Sequence, residues 1–312
     1  MKLRDNSDCF ESLSARQRAK GKRYKVKEIF RLLPFALYFL PFTLLFFTFP
    51  AHSQEEKPIP LTYQSTMVGF GTSHIYDSYL SPLKYNGINI GLIYEQMRMM
   101  GLGNGNFASQ HQFFIDYSYT ENNTKTASDQ TGLFEYNYGI PYRFNLNENF
   151  QVFVGPQAGV LLGFIYNSRN GNNPASAKVN VNAGLLGIAA YKLMIKSQPF
   201  RFRYQLNLPV IGSMYSPQFG ESYYEIGLGN SEKLFYVSSF HNHFTFKNML
   251  SVELPLNWVT IRAAWVNSFY QTKVNDLTTQ CRSNTFYLGV SKDFYVVSGR
   301  KPDDRKHSGV FK

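Results

Sequence analysis

The residues best equipped for chemistry fall into three groups. Ser73, His74, Asp77, Ser78 and Ser81 lie close together and supply the residue types of a Ser/His/Asp hydrolase or acyltransferase acting at a loop. Residue types are not geometry, however, and Ser and Asp also crowd loops for turn chemistry alone. His241 and His243 alternate onto one face with Lys247 and Glu253, which makes a general base available there. Positions two apart on a strand are separated by ~7 Å. With no third ligand beside the pair, a hydrogen-bonded network is the expectation rather than a metal site.

The third group is charged. Asp116, Glu135 and Glu253 face the same way as Arg143, Arg201, Arg203, Lys247 and Arg262, spread over several alternating segments. In a narrow interior an unpaired charge is costly, so these side chains, with His241 and His243, are expected to form a paired network filling an enclosed space. The rival expectation is a narrow pore whose excess of cations selects small anions.

Other features carry less. Cys281 falls in a polar stretch read as a loop, and Cys9 lies in an N-terminal extension expected to be lost, so no internal disulfide is expected in the mature chain. Gly101, Gly103 and Gly105 lack the spacing and following helix of a nucleotide loop. Asn122-Asn123-Thr124 matches a glycosylation acceptor only formally and is read as loop chemistry. Neither zinc-ligand spacing nor a phosphate-cradling loop occurs, and no catalytic residue, cofactor or metal is expected.

The elements that must position these residues are strands. From Phe240 to Leu254 one face reads Phe240, Asn242, Phe244, Phe246, Asn248, Leu250, Val252 and Leu254, while His241, His243, Thr245, Lys247, Met249, Ser251 and Glu253 occupy the other. That period of two recurs along the chain, while 150–166 and 283–297 are strand-like with mixed faces, which gives ten candidate segments at about 62–73, 85–99, 108–121, 131–146, 150–166, 177–195, 200–214, 239–255, 257–273 and 282–297. Several are about twice the usual soluble strand length. Connections near 100–107, 146–149, 196–199 and 255–257 are short or moderate. Those near 74–84, 122–130, 167–176, 215–238 and 274–281 are mostly longer, as in a barrel with short periplasmic turns and long outer loops. Residues 223–240 could add a hairpin, making twelve strands. Tyr117, Tyr119, Tyr142, Phe144, Tyr166, Tyr270 and Phe294 sit near strand ends, as interfacial girdles would.

The chain has 312 residues, 28 Phe, 22 Tyr and a formal net charge of +11. Residues 1–53 hold ten Lys/Arg and four Asp/Glu of the totals of 32 and 21, so residues 54–312 carry 22 − 17 = +5. That mild basicity, without an aromatic-basic motif, argues against nucleic acid. Residues 20–31 are basic and Leu32–Phe49 apolar, with Ala51 and Ser53 placed for cleavage before Gln54. This is secretory signal architecture. The expected organisation is a cleavable extension and signal over 1–53, a barrel over 54–299 and a polar tail over 300–312.

Tyr79-Leu80-Ser81-Pro82-Leu83-Lys84-Tyr85, then Tyr94-Glu95 and Met97-Arg98, then Tyr117-Ser118-Tyr119-Thr120-Glu121-Asn122 resemble an uncharacterised family of bacterial outer-membrane proteins of unknown function. The resemblance implies location and fold across most of the mature chain, and no activity. The sequence therefore points to an all-β, antiparallel transmembrane β-barrel of about ten strands in the outer membrane. Its expected partners are outer-membrane lipid, the barrel-assembly machinery during insertion, and a surface ligand of unknown identity.

Overall fold

The computed structural model describes residues 62–196, 198–229, 233–256, 258–294 and 310. The expected signal segment, its cleavage point at Ser53-Gln54, and Cys9 lie outside these residues.

Alternating sequences make long strands: β1 (Thr62–Asp77), β2 (Tyr85–Met99), β3 (Ala108–Asn122), β4 (Ser128–Gly139), β5 (Tyr142–Asn145), β6 (Phe150–Asn167), β7 (Ala175–Ile195) and β8 (Gln198–Tyr215). A short helix, α1 (Tyr223–Leu228), precedes β9 (Phe235–Ser239), β10 (His243–Pro255), β11 (Thr260–Val274) and β12 (Leu277–Phe294). All pair antiparallel into one sheet. β4 and β5 both pair with β6 and form one stave, interrupted where Pro141 lacks the N–H a ladder needs. β9 and β10 likewise share β8 as neighbour. The sheet closes through β12 on β1 and β10 on β8, so the twelve segments make ten staves of a closed barrel.

Two loop expectations are corrected. Residues 223–240 add no hairpin. Ser222 caps α1 through a Ser-x-x-Glu box with Glu225, Gly229 ends it in the left-handed region at φ 80°, and β9 then extends an existing stave. Residues 274–281 are not a long loop. Asn275 and Asp276 take φ of 56° and 58°, and Val274 pairs with Leu277 across a two-residue hairpin turn. Cys281 is consequently in β12, buried. A third irregularity lies in β8, where Gly184 pairs with Pro209 but Ala183 with Ile211, leaving Val210 as the extra residue of a bulge.

The barrel is inverted relative to a soluble protein. Outward positions of β1 and its neighbours run in cross-strand rows: Phe70 with Ile90 and Phe286, then Val68 with Leu92 and Leu288. These side chains are exposed, Phe70 by 62%. The rows are bounded at one end by Arg282, His74 and Asn86 and at the other by Lys292, Gln64 and Gln96. From Gln64 to His74 at ~3.4 Å per residue and ~40° of tilt, the apolar band is about 25 Å tall. Tyr117, Tyr119, Phe144 and Tyr166 stand exposed on this outer surface, whereas Tyr270 points inward and is buried, so it is no girdle residue. Its place in β11 follows from register, since Arg262, Ala264 and Val266 share its face.

The interior holds three buried apolar clusters. One, at the end where β1 begins, contains Tyr63, Met97, Phe153 and Leu186, and also Val310 from the tail expected to be polar. A middle cluster contains Met67, Ile93, Phe114 and Tyr287. The third, at the far end, contains Ile75, Leu80, Tyr85 and Tyr270. Polar and ionic groups fill the space among them.

Candidate functional site: the closed lumen and its far-end cover

The densest chemistry lies just inside the end where β1 begins. Alternation puts Glu95 of β2, Arg201 and Arg203 of β8, Glu253 of β10 and Arg262 of β11 on inward faces. Register then places Glu253 directly opposite Arg201 on one side and Arg262 on the other. Arg201 reaches it at 2.8 Å and Arg262 Nε at 3.5 Å. Glu95 bridges across the lumen, taking Arg262 Nη1 at 2.7 Å on one oxygen and Arg203 on the other.

Neutral groups extend this slab. Tyr63 donates its hydroxyl to Glu253, and its ring lies 5.9 Å from each of the Arg203 and Arg262 guanidiniums. Gln110 also donates to Glu95. Arg203 donates to Gln205, Gln205 to Gln112 and Asn207, and Asn207 to Gln157. Glu95, Glu253, Arg203 and Arg262 are fully buried. Such burial is sustainable only because each charge has counter-charges and hydrogen bonds, and the arrangement crosses the lumen wall to wall.

Above the slab, Lys247 pairs with Glu135 at 2.8 Å and lies 3.7 Å from the Phe114 ring centroid, while Asn137 donates to Glu135. Asp116 accepts from Asn89 and from the Tyr287 hydroxyl, both at 3.1 Å. These groups border a void of about 30 Å³, room for a water or two and not for a solute.

The remaining sequence candidates separate. His243 is buried inward against Tyr270, with Nε2 2.7 Å from Thr245 Oγ1. His241 is not on that inward face. The 240–242 turn, held by the Asn242 side chain on Ser239 and Val237, interrupts the alternation and leaves His241 exposed beside Ser239. Arg143, behind the Pro141 break, meets Asn106 at 3.3 Å rather than the slab. Asp77 is buried inward and pairs with Lys178 at 2.7 Å, whereas His74 points outward to Asn86. Ser73 faces inward with Asp77, so that Ser/His/Asp set is split across the wall. Among the described residues no three His, Cys, Asp or Glu converge as a metal site.

Glu95 is absent from the expected charged network, although it shares its face with Asn89 and Gly91. Parity along β2 was the available signal. Nothing in the sequence marks Tyr63, a Tyr at a strand start, as a partner of Glu253. Asp77–Lys178 and the Asp129–Asn167–Tyr85 chain, at 2.6 and 2.8 Å, were also missed, because the inward strands run further than expected.

The far end is covered by loops. Leu80 is buried, and Asn170 donates to its carbonyl at 3.0 Å. Tyr79 donates to the Glu221 carbonyl at 2.7 Å and meets Tyr223 edge-on, while Tyr223 accepts the Ala177 N–H at 2.6 Å. Burial, with Tyr223, Glu221 and Asp77 nearby, pushes the Tyr79 phenol up to about 12, so it remains a donor at any physiological pH. Asn275 ties the β11–β12 turn to Pro217 at 3.0 Å.

The family model described as "Protein of unknown function (DUF3316)" matches residues 38–301. The chain belongs to that family. No curated protein matches the sequence. Among solved structures it is similar to Neisserial surface protein A (11% identity, 75% of this chain and 97% of that one, TM-score 0.29). It is also similar to the outer membrane protease OmpT from Escherichia coli (8%, 78% and 99%, 0.35). A third is the translocator domain of autotransporter NalP from Neisseria meningitidis (10%, 91% and 98%, 0.34). At these identities and scores none of them lends this family an activity.

Proposed function

We propose that this protein is an integral outer-membrane barrel with a closed lumen, acting as a rigid pedestal that holds its far-end loops at the cell surface for ligand contact, without catalysis of its own. The end where β1 begins then faces the periplasm. The ionic slab carries the reading: Glu95, Arg203, Arg262 and Glu253 are fully buried, Arg201 joins them at the edge, and a network spanning the lumen in this way supports a lumen closed to solutes. The apolar outer band supports membrane residence, with lipid as the surrounding partner and insertion by the barrel-assembly machinery. Contact through the loops is supported by α1, which buries no residue and leaves Tyr224 and Leu228 exposed beside an exposed Phe219.

Planar-bilayer recording tests the closed lumen. The purified barrel should give no steps at moderate voltage. Discrete anion-selective conductance that changes in Arg201→Gln or Arg203→Gln would replace this reading with a narrow channel. A lipid- or peptide-hydrolysing activity lost in His74→Ala or His241→Ala would replace it with an enzyme.

A further inference from the structure

Outside the lumen, a recess of about 330 Å³ opens on the exterior of β1, β2 and β12 at their outer ends. The side chains that shape it include His74, Tyr76, Lys84, Asn86, Gln280 and Arg282, and its lining contains two permanent cations and no carboxylate. Register makes this a single construction. His74 pairs with Arg282 on one side and Asn86 on the other, and Tyr76 pairs with Gln280. Two contacts order it: His74 Nδ1 lies 2.6 Å from Asn86 Oδ1, and the Arg282 guanidinium sits 4.8 Å over the Phe269 ring. The one carboxylate paired with this row, Glu121 opposite Asn86, is on β3 and takes the Tyr119 hydroxyl at 3.4 Å outside the recess.

The height of the recess selects its ligand. Directly below it come Thr72 with Ile88 and Asn284, then the apolar rows of Phe70, Ile90 and Phe286 and of Val68, Leu92 and Leu288. The cations therefore stand at the outer limit of the apolar band, at headgroup depth, above a track that alkyl chains can cover. A guanidinium and an ammonium lining one recess without an acid suit a phosphate. A free anion would gain nothing from the rows beneath.

We propose that this recess binds the phosphate-bearing headgroup of an anionic outer-leaflet lipid. Arg282 and Lys84 contact the phosphate, and the acyl chains lie along Phe70, Ile90 and Phe286. The proposal rests on the membrane reading above.

The test uses the full chain folded into phosphatidylcholine vesicles with and without diphosphoryl lipid A, measuring lipid A retained after detergent extraction. Heat-modifiable gel mobility is read on the same samples. Wild-type protein should retain lipid A over phosphatidylcholine, and retention should fall roughly fivefold for each cation removed in Arg282→Gln and Lys84→Gln. Lys292→Gln, the same charge change at the opposite boundary of β12, should retain it fully. Equal retention by wild type and the double variant overturns the site. So does equal retention of phosphatidylcholine, or displacement of the lipid by millimolar inorganic phosphate. A barrel that shows the mobility shift yet fails these comparisons refutes the lipid site alone. A chain that never inserts refutes the membrane reading and the site together.

Discussion

Glu95→Gln keeps the shape of the slab and removes one charge. In the native barrel Glu95 is the carboxylate shared by Arg203 and Arg262, all three fully buried, so the variant removes the counter-charge that both guanidiniums contact. The two guanidinium contacts to Glu95 are charge-assisted and fully buried, and such bonds contribute about 1.5–3 kcal/mol each. Arg203 keeps Gln205, and Arg262 keeps Ser251 and Glu253, which returns part of that loss. The expected destabilisation is about 3–5 kcal/mol, the range for breaking a buried pair. Urea unfolding in vesicles, followed by tryptophan emission and gel mobility, measures it. Glu95→Met with Arg262→Met should cost less than the two single losses added together, because both members of the Glu95–Arg262 pair are then removed and that contact is lost once rather than twice. A loss below about 1 kcal/mol for Glu95→Gln would mean that water reaches the slab, and the argument for a closed lumen would fall with it.

Trp265 is exposed in the outward row of Phe286 and Leu250, and Trp258 is exposed in the turn before β11. In Trp258→Phe the remaining indole should be quenched by mid-chain brominated lipid and ignore iodide; the opposite pattern would place that face in water. Gly91→Ala drives a methyl into the Tyr287 hydroxyl, so about 1–3 kcal/mol of thermal stability should be lost, and an unchanged melting point would show that the Tyr287 ring is free to move. In a Cys9→Ser background, Cys281 should react with maleimide only after the barrel is boiled, since it is buried on the lumen face; ready labelling of the folded form would show an open far end.

What could be read from the sequence followed parity. A two-residue period carries information wherever the two faces meet different solvents, which is why Arg203, Lys247 and Arg262 could be assigned inward without any structure. Parity fails where the backbone departs from the period. The 240–242 turn moves His241 outside while leaving His243 in, the Pro141 break diverts Arg143 toward Asn106, and two left-handed residues at 275–276 convert an apparent loop containing Cys281 into strand. Each departure has a local chemical cause in Asn242, Pro141 and the Asn-Asp pair, yet none changes composition enough to stand out from a polar loop. Glu95 was missed for a different reason. Its parity was right, but which inward charges meet depends on how far each strand is staggered around the closed wall. The Glu95 contacts to Arg203 and Arg262 join residues 108 and 167 positions apart. Closure sets those distances, so the pairing becomes legible only once the shear of the barrel is known.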